Sequence, residues 1–171
     1  GTTPELHFDN MIADIRLSND GDKALIDIDR EMAGYADNNL RAIYFYSNEE
    51  DKKKIAEEFL KSCGGEGAEL KSSSAENFNM NSDEYDKPFV MKATLESPGI
   101  IEKAGNTILV AIGQVIGQQV EMYQDHARQN PIDQEFPHTY KRVLKFYIPD
   151  GYTAKGLEKL KMNIIGEDKS Q

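Results

Sequence analysis

The feature that most constrains the fold is a double change of hydrophobic period. Residues 11–32, "MIADIRLSNDGDKALIDIDREM", alternate. Met11, Ala13, Ile15 and Leu17 interleave with Ile12, Asp14 and Arg16, and Ala24, Ile26 and Ile28 interleave with Asp27 and Asp29. A period of two marks strands with one face buried and the other in water. Asn19, Asp20 and Gly21 between them predict a hairpin turn, supplying the positive φ such turns require. Asp27 and Asp29 fall on the face opposite Ile26 and Ile28, and are read as a solvated sheet face.

The period then lengthens. In residues 35–63, "YADNNLRAIYFYSNEEDKKKIAEEFLKSC", Leu40, Ile43 and Tyr44, then Ile55, Ala56, Phe59, Leu60 and Cys63, recur at helical spacing. Ser47 followed by Glu50 forms a capping-box pattern, which starts a second helix near Asn48. Glu49, Glu50 and Asp51 suit the positive end of that helix, and Gly64 and Gly65 end it. The expectation is a helical hairpin, or one helix broken near Ser47. Tyr44, Phe45 and Tyr46 cannot all face one core on a helix, so Tyr46 becomes a candidate contact residue.

Strand periodicity returns afterwards. "GAELKSSSAENFNM" reads as a weak strand with a small-residue core face. "KPFVMKATLES" is stronger, and "NTILVAIG" is an apolar run that fits a central strand. "NSDEYDKP" and "SPGIIEKAGN" read as connections, and Val115 to Asp133 as a long surface loop. "YKRVLKFYIPDGYTAKGLEKLKMNII" reads as strand, turn, strand, with the turn at Pro149, Asp150 and Gly151. Strands on both sides of one helical insertion predict an α+β fold. It is mainly antiparallel, with sandwich-like sheets and a helical hairpin packed on one face. The expected organisation is a single accessory domain over residues 1–166, its helical insertion at about 35–64, and a polar tail or cut end at 167–171.

Composition narrows the function classes. The chain has 171 residues, 20 basic and 30 acidic, for a formal net charge of −10. That balance disfavours nucleic acid, whose phosphates need clustered Lys and Arg, and anionic membrane surfaces. No apolar run reaches the length of a membrane span. "GTTPELHFD" lacks the basic and apolar regions of a signal peptide. The leading Gly1 and the polar end "GEDKSQ" create the expectation of a piece of a longer protein.

Candidate chemistry is sparse. The single cysteine, Cys63, lies in the predicted last turn of a helix, at the pole that disfavours a thiolate, and on the apolar stripe. His7, His126 and His138 are scattered, and none belongs to a zinc-binding pattern. His126, beside Asp125 and Arg128, is the most accessible candidate base. "SNDGD" and "NSDEYD" lack the ligand spacing of a calcium loop, and "GQVIG" lacks the Lys and Ser/Thr of a phosphate loop. No catalytic residue, metal ligand or cofactor is therefore assigned. The candidate contact surface is Arg128, His126, Tyr123 and Tyr46, with Arg128 as a carboxylate anchor or an internal salt-bridge partner. Two alternatives remain open. One is a carbohydrate-binding β-module using Tyr123, Tyr140 and Tyr147; the other is an independent hydrolase using Cys63 or His126.

Three segments taken together carry a resemblance: "GYADNNLRAIYFYSNEEDKKKIAEEFLKSCG", "ENFNMNSDEYDKPFVMKATLESPG" and "RQNPIDQEFPHTYKRVLKFYIPDGY". With Gly34, Arg41, Gly64, Arg128, Pro131-Ile132 and Ile148-Pro149-Asp150-Gly151-Tyr152 in that order, the chain from about residue 6 to 165 resembles the C-terminal domain of unknown function of bacterial exported transglutaminase-like proteins. The resemblance implies a periplasmic or extracellular location. It also implies a cysteine-protease-like core, with a Cys-His-Asp triad, elsewhere on the same polypeptide. No segment here matches that triad. The implied role is that of a non-catalytic accessory domain, packing on the core or positioning a peptide or glycan partner.

Overall fold

The computed structural model describes residues 7–117, apart from 82 and 84, and residues 139–160; the side chains of 36 and 159 are not described. It is an α+β fold. In chain order come β1 (Phe8–Leu17), β2 (Ala24–Ala33), α1 (Asn38–Tyr46), α2 (Glu49–Lys61), β3 (Glu69–Glu76), β4 (Phe89–Ser97), β5 (Ile101–Ala104), β6 (Thr107–Val110) and β7 (Thr139–Phe146). Short 3-10 turns cover Gly34–Ala36, Ser62–Gly64, Ile112–Ile116 and Leu157–Leu160. The main sheet has five strands in the order β3-β4-β2-β1-β7, and β5 pairs with β6 in a separate two-stranded sheet.

The alternation read from the sequence sets the register. Ala13 lies opposite Ile28, Ile15 opposite Ile26, and Ile26 opposite Leu95 across the antiparallel pairs. Directly opposed residues share a face, so Met11, Ala13, Ile15, Ile26, Ile28, Met91, Ala93 and Leu95 form one buried surface. Ala56, Leu60 and Cys63 from α2 and its end cover this surface, and Leu40 and Tyr44 of α1 pack against it. Among the described residues the layer over this face of the main sheet is helical, and a sandwich of two facing sheets is not seen. The β5–β6 hairpin contributes Ile101 and Val110 at its margin. One pair is parallel: β7 runs alongside β1, with Met11 opposite Arg142.

Several local expectations change. The first hairpin closes through the six residues 18–23, with Ser18 N–H donating to Lys23 O (2.9 Å) and Gly21 N–H to Ser18 O (2.8 Å). Among Asn19, Asp20 and Gly21, only Gly21 takes positive φ (68°). The two helices divide at Ser47 as expected, but the cap of α2 is one residue later. Asn48 Oδ1 accepts the Asp51 N–H at 2.9 Å, while Ser47 Oγ turns back to the Ile43 carbonyl and closes α1. "NTILVAIG" supplies β6 of the small hairpin, not a central strand, and its partner β5 lies in the segment read as a connection. Val115, expected on a surface loop, is fully buried in a 3-10 turn; residues 118–133 of that loop lie outside the described residues. After β7 the described residues run through a turn to a 3-10 turn at Leu157–Leu160, within the stretch expected to form a second strand; residues 161–165 of that stretch lie outside the described residues.

Candidate functional site

Cys63 occupies the 3-10 turn that follows α2, fully buried, with its sulfur 4.0 Å from Met11 Sδ. Burial pushes its thiol up, although the nearby Arg30 and Arg142 guanidiniums pull the other way. An enclosed, protonated thiol has neither the solvent access nor the charge of a nucleophile.

Those two arginines belong to a polar cluster at the margin of the covered face. Arg30 forks onto Asp9, with Nε to Oδ1 at 2.8 Å and Nη2 to Oδ2 at 2.6 Å. Arg142 reaches the same carboxylate from β7 at 2.9 Å and also bonds the Asp9 carbonyl. Burial works to raise the Asp9 carboxyl, but Arg30 and then Arg142 outweigh it and hold it below the ordinary carboxylate range. Arg30 lies over the Phe59 ring at 4.3 Å, which fixes its plane against α2.

A second buried pair sits under the loop from residue 77 to 88. Asp37 and Arg41 are ion-paired with side chains 2% and 3% exposed. Arg41 Nη1 donates to Tyr85 O (2.9 Å) and Nη2 to Lys87 O (2.7 Å). Burial raises the Asp37 carboxyl against the pull of Arg41. Asn77, held at φ 59°, closes the foot of the same loop by donating from Nδ2 to Pro88 O at 2.9 Å.

Among the described residues, no helix covers the opposite face of the main sheet. A shallow trough of about 430 Å³ runs across it, lined by Ile12, Asp14, Asp27, Asp29, Lys92 and Thr94, with the hydroxyls of Ser72 and Ser74 on the rim. Its carboxylates already have partners within the sheet. Asp27 pairs with Arg16 (2.8 Å) and accepts from Thr94; Asp14 accepts from Tyr147 OH (2.7 Å) and lies 3.6 Å from Lys145. Lys92 lies 2.8 Å from Glu76 and 3.9 Å from Asp29. This lattice of cross-strand ion pairs keeps a bare sheet face in water and discourages edge pairing.

Of the four candidate contact residues, only Tyr46 lies among the described residues. Tyr46 is 77% exposed at the end of α1, while Tyr44 turns inward onto Phe78 and Phe89. Tyr123, His126 and Arg128, like His138, lie outside the described residues. His7 accepts the Tyr35 N–H on Nδ1 at 3.3 Å. Tyr140 is exposed on β7, and Tyr147 has its ring under the Arg16 guanidinium at 4.6 Å and its hydroxyl on Asp14. Among the described residues no group of three or more His, Cys, Asp or Glu could hold a metal ion, and no helix is long and apolar enough to cross a membrane.

Sequence reading missed both buried ion pairs. Asp9 and Arg30 sit at core-phase positions of β1 and β2, and Asp37, the residue before α1, lies four before the buried Arg41 within it. A charge in the apolar phase was the available signal for each.

Fold and side chains together define a mainly antiparallel sheet with helices on one face, two buried ion-pair clusters and an exposed lattice of cross-strand ion pairs. Family models, curated proteins and solved structures include no match to this chain.

Proposed function

We propose that this chain is a non-catalytic accessory domain of an exported transglutaminase-like protein, packing on its cysteine-protease-like core or positioning a peptide or glycan partner there. The observation that carries the reading is the state of Cys63. The chain's single thiol is enclosed in the core at the trailing end of α2, with burial raising it. In the proposed parent, bond-making chemistry belongs to a Cys-His-Asp triad on another segment, and this chain supplies surface and shape. The ordered motif resemblance along residues 6–165 supplies the family, and with it a periplasmic or extracellular setting.

The test is the complete reading frame and its product. An upstream segment encoding a Cys-His-Asp core, whose activity survives Cys63→Ala in the whole protein, is the expected result. A frame that ends at both termini of this chain, or activity abolished by Cys63→Ala in a protein that remains folded, sinks the reading.

A further inference from the structure

We draw no further inference here: the strongest candidate, the shallow trough across the bare face of the main sheet between Ile12, Asp29, Lys92 and Ser74, carries nothing because its charged groups already pair within the sheet and nothing in the structure shows what covers it.

Discussion

The sulfur of Cys63 rests 4.0 Å from that of Met11, seating the end of α2 on the middle of β1. The contact is sulfur on sulfur in a fully buried setting, and both side chains are part of one core cluster. Native protein is therefore expected to resist thiol labelling at neutral pH and to react fully once unfolded. Cys63→Ala leaves a small cavity and is expected to cost about 1–2 kcal/mol, at the low end for buried truncations. Cys63→Ser places a hydroxyl in the same apolar site and is expected to cost more, about 1–3 kcal/mol if it finds no partner. Labelling kinetics with a small electrophile and urea unfolding of the two variants measure both. Rapid native labelling would show that the end of α2 is not seated as described.

Asp9 makes acid stability a local question. Its carboxyl is held below the ordinary range by Arg30 and Arg142. A carboxylate of depressed pKa contributes stability that is complete above its unfolded value, about 3.9, and is lost as pH falls through the folded value. The joint between β1, β2 and β7 is thus expected to weaken in acid below about pH 4 and to be insensitive above it. Asp9→Asn keeps the shape but leaves two largely buried guanidiniums without a counter-charge. It is expected to cost about 3 kcal/mol at neutral pH and to flatten the acid limb of the stability curve. Urea midpoints from pH 3 to 7 for wild type and Asp9→Asn read out the difference; parallel curves would remove Asp9 from this role.

Arg41 holds the 77–88 loop by its backbone. It answers Asp37 and two loop carbonyls at once, which a planar fork does and an ammonium does not. Arg41→Met strands a buried carboxylate and two carbonyls and is expected to cost about 3–5 kcal/mol. Arg41→Lys keeps the charge beside Asp37 but not the reach to both Tyr85 O and Lys87 O. Its global cost is expected to be smaller, with the loss concentrated in the loop. Limited proteolysis near Lys87 then accelerates before the core unfolds. Equal proteolysis of wild type and Arg41→Lys would show that the loop is held by something else.

What was legible in the sequence was whatever a period encodes. The alternation in residues 11–32 and 89–97 gave the faces of β1, β2 and β4, and the 3.6 spacing from Ile55 to Cys63 gave the buried side of α2. The small hairpin was misread because "TILV" in β6 is a short apolar run, and such runs look alike in a central strand and a margin hairpin. Parallel pairing of β1 with β7 was hidden because strand neighbours separated by more than a hundred residues leave no local trace. Asn48 displaced Ser47 as the cap because both residue types fit the position, and the backbone of the α1–α2 junction chooses between them. The trough on the bare face follows from Asp27 and Asp29 in phase with one another. Its saturation by Arg16, Lys145 and Lys92 depends on cross-strand register, which sequence alone did not supply.

A pair of glycines offers a clean test of how the turn after α2 meets the turn after β4. A Cβ placed on Gly99 would collide with the backbone carbonyl of Glu66, and it lies 3.0 Å from that residue's N and C as well. These are main-chain atoms between Gly65 and Gly67, so no side chain can swing aside. The same junction is stitched by Ser97 Oγ donating to Gly64 O, and the turn after α2 is itself closed by Ala68 N–H donating to Gly65 O at 3.4 Å. Gly113, in the 3-10 turn Ile112–Ile116, has nothing within 4 Å of the equivalent position and no positive φ. Gly99→Ala must therefore push two backbones apart, at an expected cost of about 1–3 kcal/mol. That corresponds to a fall in Tm of roughly 2–12 °C for a domain of this size. Gly113→Ala relieves unfolded-chain entropy without a clash and is expected to be neutral, or stabilising by up to about 1 kcal/mol. Thermal unfolding of the two single variants decides the matter. If Gly99→Ala melts with the wild type, the two turns do not touch, and Ser97 cannot be bonding Gly64.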